Sequence, residues 1–331
     1  MATTTANYQN LTIDWNVQDS PAVISDLIKS TGLLQTAYVD KANWGNKHKY
    51  KRFNSLPSGT FRTFGEGIVP VSFSKDMESL DLWEVSTLMQ VDCGEAEAHP
   101  GGVQGWYTEN YPAALTGLGH SIAKQCFYGT ELQTGTTYYA SQNGFLGLAQ
   151  YNLINGTFTE IDTNDTNTGA QNSIHVVRWE RDTGASLRVY PNANGELITT
   201  EFLGKALVVT STTTNAQQPV YSWIIKAYMT LVVPSATSSF MVCGFSDNGT
   251  PELPTAPQLS HAIDVVAQGG AGDIRMYCNL KGMEAIRALK YAKVQIDNAN
   301  TGVNNNVLSW DGVPVHLDTN LVSTEYAALY V

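Results

Sequence analysis

No apolar run in the sequence approaches the ~18 residues that a membrane-spanning helix needs, and the opening residues 1–7 carry neither the basic start nor the apolar stretch of a secretory signal. A cytosolic site of synthesis is therefore expected, with no membrane partner. Cysteine is scarce: Cys93, Cys126, Cys243 and Cys278 stand far apart, with no C-x-x-C pair and no neighbouring histidine. That spacing suggests neither a zinc site nor a disulfide scaffold, so all four are expected to be reduced packing residues. The sequons at Asn10, Asn155, Asn164 and Asn248 would matter only in a secreted chain and read as accidental. Walker A, G-x-G-x-x-G, H-E-x-x-H, G-x-S-x-G and EF-hand patterns are all missing, which removes the commonest nucleotide, metal and hydrolase sites.

What is present supports a folded chain. Of 331 residues, 43% are hydrophobic and 15% charged, with 7 Trp, 16 Tyr and 10 Phe. That is enough apolar surface to offset the entropy of ordering. The net charge of -11 opposes generic binding to nucleic acid or anionic membrane. Its distribution is uneven: Lys41, Lys47, Lys49, Lys51, Arg52 and Arg62 form a run of six cations without an acid before residue 66, which leaves the remainder at -17.

Along the chain, residues 1–19 are polar, rich in Thr and Asn and without helical periodicity, which suits an extended arm. Ser20 and Pro21 then open a helix with Val23, Ile24, Leu27 and Ile28 on its apolar face, ending near Gly32. The basic segment follows. Pro57, Ser58 and Gly59 supply the turn of a protruding two-stranded loop, and Phe61, Thr63 and Phe73 lie on its return limb. Residues 82–91 read as a longer strand. Tyr111, Leu115, Leu118, Ile122 and Cys126 recur at helical spacing. They predict a long helix capped by Thr108 or Asn110, with Pro112 in its first turn and Gly129 at its end. Gly117 and Gly119 inside it predict a closely packed neighbour. Residues 130–257 read as mainly β, with turns at 155–156, 194–195 and 248–249 and strands at 174–179 and 221–226, while 157–170 reads as an acidic surface loop. Short helices at 259–267 and 281–293 and a strand pair within 307–331 complete the chain.

Three clusters invite a ligand and have blander readings. Glu95, Glu97 and His99 could hold a metal, but the surrounding Gly and Pro favour a solvated loop. Asp162, Asn164, Asp165 and Asn167 miss the spacing of a calcium loop. The six cations could bind phosphate, although a solvated charged face is the default. The histidines are scattered and take no catalytic role. No catalytic residue, cofactor or metal is expected.

Two stretches carry a resemblance. Residues 308–318, Leu-Ser-Trp310-Asp-Gly312-Val-Pro314-Val-His-Leu-Asp318, followed by Thr324-Glu325, resemble the "F-x-G-x-P-V" strand, aspartate and "T-E" of Hong Kong 97-type major capsid proteins of tailed bacteriophages. Gly312 is expected to permit close backbone approach, and Pro314 to restrict pairing on one edge. Residues 172–179 (Asn-Ser-Ile-His-Val-Val-Arg-Trp), 189–191 and 203–205 are similar to the "S-I-x-x-V-R-W-G", "Y-P-K-G" and "D-L-G" patterns of a short-tailed subgroup. Glu180, Asn192 and Phe202 stand here in place of the Gly, Lys and Asp.

The resemblance implies an α+β fold of the Hong Kong 97 kind. Residues 1–40 would form an N-terminal arm and short helix, 41–80 an extended β-hairpin loop, and 81–130 a peripheral domain with a long spine helix. Residues 131–306 would form a β-rich axial domain, and 307–331 strands returning to the core. The implied function is a virion shell subunit that assembles with itself, as hexamers and pentamers, into an icosahedral head around double-stranded DNA without reading its sequence. An encapsulin-like compartment shell is the alternative. Lys41, Lys47, Lys49, Lys51, Arg52 and Arg62 would then contact a neighbouring subunit, and Trp310, Gly312, Pro314, Asp318 and Glu325 would be structural. Implied partners are a separate scaffolding protein, a portal and possible decoration proteins.

Overall fold

The computed structural model describes residues 31–53, 58–59, 61–67, 70, 74–129, 143–160, 171–190, 196, 198–211, 216–246, 253–289, 294–297 and 307–323. The arm, the helix expected from Ser20, the aspartate-asparagine loop at 162–167, the turns at 194–195 and 248–249, and Glu325 lie outside them. The described chain begins with a short helix, α1 (Gly32–Thr36), where the sequence suggested a helix end, and continues into β1 (Val39–Lys41). Strands β2 (Lys47–Phe53) and β3 (Lys75–Asp81) pair antiparallel as a separate two-stranded ribbon. Then come β4 (Trp83–Asp92), α2 (Cys93–Ala98), α3 (Gly102–Tyr128) and α4 (Leu148–Asn155).

Helix α3 starts well before its expected caps. Thr108 and Asn110 bond backward, to the Gln104 carbonyl at 2.9 Å and the Trp106 carbonyl at 2.8 Å, so neither caps an N-terminus. Pro112 lies inside the helix, a placement that removes one backbone donor and ordinarily costs ~3 kcal/mol. Aromatic packing ahead of it holds the first turns: Trp106 stacks on Trp223 with centroids 5.8 Å apart, and Tyr107 lies 5.2 Å from the same ring. Gly129 ends the helix at φ 71°. Gly119 is buried as expected, but Gly117 is exposed, and a Cβ there would meet nothing within 4 Å. Glu95 and Glu97 sit on α2, which Asp92 caps through the Gly94 and Glu95 amides, and not on a loop. Gly156 ends α4 in a left-handed conformation, so Asn155 and Gly156 serve a helix terminus instead of a hairpin.

The β-rich remainder comprises β5 (Phe158–Glu160), β6 (Asn172–Trp179), β7 (Ser186–Val189), β8 (Ile198–Ser211), β9 (Ala216–Val232) and β10 (Ser239–Phe245). After these come α5 (Ala256–Ala267), β11 (Asp273–Cys278), α6 (Leu280–Ala288), β12 (Val294–Asp297), β13 (Val307–Trp310) and β14 (Val313–Leu317). One sheet runs β1-β7-β9-β4, with β8 also on β9, and a second runs β12-β13-β14-β11-β6-β10-β5. The apolar stripe of α3 (Tyr111, Leu115, Leu118, Ile122) packs with Trp223, Ile225, Met229 and Leu231 of β9 in one core. Leu259, Ile263 and Val266 of α5 and Met283 and Ile286 of α6 pack with Val176, Val242 and Met276 in the other. Strand β6 joins the two: every residue in it is buried, and alternation sends Val177 and Trp179 into the first core and Ile174 and Val176 into the second. All four cysteines are free and buried, as expected.

Candidate assembly interface

The ribbon divides its charges by strand alternation. Register pairs Lys47 with Asp81, His48 with Leu80, Lys49 with Ser79, Tyr50 with Glu78, Lys51 with Met77 and Arg52 with Asp76. Because directly opposed residues share a face, Lys47, Lys49, Lys51, Lys75, Met77, Ser79 and Asp81 occupy one side. His48, Tyr50, Arg52, Asp76, Glu78 and Leu80 occupy the other.

The second side leans on the body. His48 is buried, and burial followed by the Arg188 charge holds its imidazole below the ordinary histidine range, against the opposing pull of Asp40 and Asp182. Tyr50 donates to the Glu78 carboxylate, and burial, then that bond, raises its phenol well above the usual value. Arg52 reaches Glu78 at 3.7 Å. The first side faces outward and is mostly basic. Lys47 pairs there with Asp81 at 2.8 Å. Lys49 lies 3.9 Å over the Trp44 ring, and Asn43 grips the Lys49 backbone at both its amide and its carbonyl. Lys51 and Met77 are exposed. The return limb therefore supplies acids that a count ending at residue 65 omits: Glu66, Asp76, Glu78 and Asp81.

Beyond the strands, the Arg62 guanidinium donates to the Glu66 carbonyl, and the Glu66 carboxylate accepts from the Thr63 amide at 3.0 Å, a bond that lowers its pKa. Phe61 and Phe64 are fully exposed beside them. Apolar rings held in solvent mark a surface that gains by being covered. The six cations of the sequence are thus not one surface. Lys47, Lys49 and Lys51 share the outer face; Arg52 lies on the opposite face, still exposed, beside Glu78; Arg62 secures the distal segment; and Lys41 ends β1 on the body, paired with Val189. Sequence reasoning missed Trp44, Phe64 and Met77. The alternation K-x-K-x-K at 47–51 was the signal that could have found the outer face.

Of the C-terminal motif, Trp310, Gly312, Pro314 and Asp318 fall within the described residues. Trp310 is fully buried, its indole donating to the Ser260 hydroxyl at 3.3 Å. Asp311 and Gly312 turn β13 into β14 with φ 46° and 83°, and Gly312 has open space around it. Its glycine serves a left-handed turn, which corrects the expected close backbone approach. Pro314 faces Ser309 of β13, and the ladder to β11 starts one residue later, at Val315. Asp318 is buried and accepts from the Leu33 amide at 2.8 Å, the Asn320 amide at 2.9 Å and the Asn320 side chain at 2.7 Å. Among the described residues no group of three His, Cys, Asp or Glu side chains could hold a metal.

Comparison with known proteins adds the following. The model of a family described as Major capsid protein GP7 matches residues 17–328. No curated protein matches the sequence. A chain from the structure of bacteriophage Epsilon15 is similar at a TM-score of 0.56 and 16% identity, covering 88% of each chain. The bacteriophage JBD30 capsid gives 0.48 at 12% identity over 93% of this chain and 96% of that one. The SrpI encapsulin of Synechococcus elongatus gives 0.44 at 9% identity over 67% and 90%.

Proposed function

The chain belongs to the major capsid protein GP7 family, and from that premise we propose that its copies close an icosahedral phage head of the Hong Kong 97 type by laying the outer face of the β2–β3 ribbon across a neighbour. Membership makes the protein a structural component of the virion, a shell subunit that assembles with copies of itself, and it favours the phage shell over the encapsulin alternative. The observation that carries the ribbon's role is its two-sidedness. One face buries His48 and pairs Tyr50 and Arg52 with Glu78 of the ribbon itself, and the other presents Lys47, Lys49 and Lys51 with Met77 and Trp44. An acidic neighbour complements such a face. Single exposed pairs are worth only ~0–1 kcal/mol, but they steer docking and recur at every contact in a shell.

In this reading residues 1–40 act as the arm, 41–80 as the extended loop and 81–130 as the peripheral part with α3 as its spine. Residues 131–306 supply the axial part, with β7 to β9 also building the core under α3, and 307–331 return to the body. The relationship lies with the short-tailed subgroup. A separate scaffolding protein, a portal and possible decoration proteins complete the head. The acidic total suits a wall that encloses DNA without adhering to it, and no catalytic step is assigned. Electron microscopy of the purified chain tests the reading: closed shells or capsomer rings are expected, and discrete monomers under all assembly conditions would overturn it.

A further inference from the structure

The β2–β3 ribbon joins the body through two short links. On the way out, the Ala42 amide still donates to the Val189 carbonyl of the body at 2.8 Å, and β2 begins at Lys47. On the way back, Leu82 alone separates β3 from β4. The two links are pinned together where the Leu82 amide donates to the Asn46 carbonyl at 2.9 Å, and Gly45 in the first link stands at φ 55°. Among the described residues β2 and β3 pair with no other strand. A ribbon that leaves through one such root can pivot there as a unit, so side chains near the root set its angle to the body.

His48 is the side chain placed to do so. It is the second residue of β2, opposite Leu80, and it is buried, with no hydrogen-bond partner for its Nδ1 among the described residues. The charged groups around it are already committed. Asp40 of β1 accepts from Arg188 of β7 at 2.7 Å and pairs with Arg181 of the β6–β7 turn at 3.2 Å, while Arg188 also donates to the Ser186 hydroxyl at 3.2 Å. Asp182 of the same turn attracts a charge on the ring, as Asp40 does. On the ribbon itself Tyr50 stacks on His48 with centroids 6.3 Å apart, and Glu78 is held by Tyr50 and Arg52. Tyr151 of α4 lies within reach of the Glu78 charge. An imidazolium at position 48 would be desolvated beside the Arg188 guanidinium, with Asp40 shared between two arginines. Burial and Arg188 outweigh Asp40 and Asp182, so the seated ring is neutral.

We propose that His48 is a proton-operated latch on the ribbon: neutral, its ring seats against the body and fixes the ribbon's angle; protonated, it leaves that seat and the ribbon swings about the root formed by residues 42–46 and Leu82. Above the ordinary histidine value of 6.5 neither the seated nor the released ring binds a proton, and the latch is closed. As the pH falls below that value the released form takes up a proton that the seated form does not. The ratio of released to seated ribbon then rises by up to ~10-fold per pH unit. Lys47, Lys49, Lys51 and Met77 move with the strands, so docking of the outer face on a neighbour becomes dependent on pH. The proposal rests on the shell reading and adds the regulation of its contact.

Spin-label distances in the unassembled full chain test it. Lys51→Cys on the ribbon and Ser121→Cys on α3, both exposed positions, carry the labels, the native cysteines being buried. One distance is expected at about pH 7.5, and a second population should grow several-fold between about pH 6.5 and 5.5. His48→Phe keeps a ring and removes the titrating nitrogen, so it should hold the neutral-pH distribution throughout, with circular dichroism confirming that both proteins stay folded. An unchanged distribution in the parent overturns the latch, and so does an equal response in the Phe variant. The ring resonance of His48 in the unmodified chain is a readout free of any substitution: its midpoint should lie below 6.5, and a midpoint at or above that value would overturn the proposal. These measurements need no shells, so subunits that never assemble count against the shell reading and leave the latch result standing.

Discussion

The backbone amide of Leu33 donates a 2.8 Å hydrogen bond to the buried carboxylate of Asp318, joining positions 285 residues apart in the chain. The same carboxylate orders the turn that follows it through Asn320, while the Asp318 amide bonds the Cys278 carbonyl at 2.9 Å. One side chain thus fastens the entry of the chain to its returning end.

Replacing Asp318 by Ala should destabilise the subunit by ~3 kcal/mol or more, because bonds to a charged acceptor are each worth ~1.5–3 kcal/mol and the deserted donors stay buried. Asp318→Asn keeps one acceptor oxygen and should cost less. Denaturant midpoints of the unassembled subunit measure both, and an unchanged midpoint for the Ala variant would refute the fastening role.

His175 gives the subunit a dependence on pH. It is fully buried in β6, with Nε2 against the Ser173 hydroxyl at 3.2 Å and the ring 5.4 Å from Phe127, and burial holds its pKa down to about 3 from an ordinary 6.5. Between those values the unfolded chain binds a proton that the folded chain does not, so stability is present above pH 6.5 and lost as the pH falls. Wild type should lose ~1–2 kcal/mol from this group between pH 6.5 and 5. His175→Phe should show a shallower decline in denaturant titrations over that interval.

Charge reversal on the ribbon separates assembly from folding most cleanly at Lys49 and Lys51. Lys47 and Arg52 have partners within the ribbon itself, so reversing them also perturbs the monomer. Lys49→Glu with Lys51→Glu should leave the subunit folded, since Lys51 is exposed, where substitutions usually fall within ~0.5 kcal/mol, and half-buried Lys49 loses its contact over the Trp44 ring, worth about 0.5–1 kcal/mol at a solvated site. Shell formation at low salt should be blocked. Raising salt to ~1 M shortens the screening length to ~3 Å and should restore part of the yield by light scattering. Normal assembly of the variant at low salt would show that the outer face does not dock through charge.

Two glycines should respond oppositely to alanine. Gly117→Ala, in mid-helix and facing open space, should raise stability by up to ~1 kcal/mol. Gly312→Ala, at φ 83°, should lower it by ~1 kcal/mol or more, because a side chain is strained in that conformation. Thermal unfolding of the two variants provides the comparison.

By itself the sequence determined most of the elements: a two-stranded ribbon, though its return strand lies at Lys75–Asp81 and not through Phe61 and Thr63, the strand through Leu88 and Val91, the apolar stripe from Tyr111 to Cys126, the strands at 174–179 and 221–226, and the helices around Ile263 and Ile286. These depend on periodicities of two or 3.6 residues and on turn chemistry, which act between near neighbours and are written in the chain. The resemblance of its C-terminal strand to a capsid family was likewise legible in residues 310–318. Only the tertiary structure decided what those residues do. Pro112 read as a helix start until the packing of Trp106 and Tyr107 on Trp223 carried the helix past it. Gly312 read as a site of close approach until the hairpin left it in open space. The six cations read as one patch until pairing with β3 put Arg52 on the opposite face of the ribbon from Lys47, Lys49 and Lys51. For Pro112 and the cations the deciding partner lies on another element, from 24 positions away for Arg52 and Asp76 to more than a hundred for Trp106 and Trp223. Local patterns carry no record of which distant surface a side chain will meet.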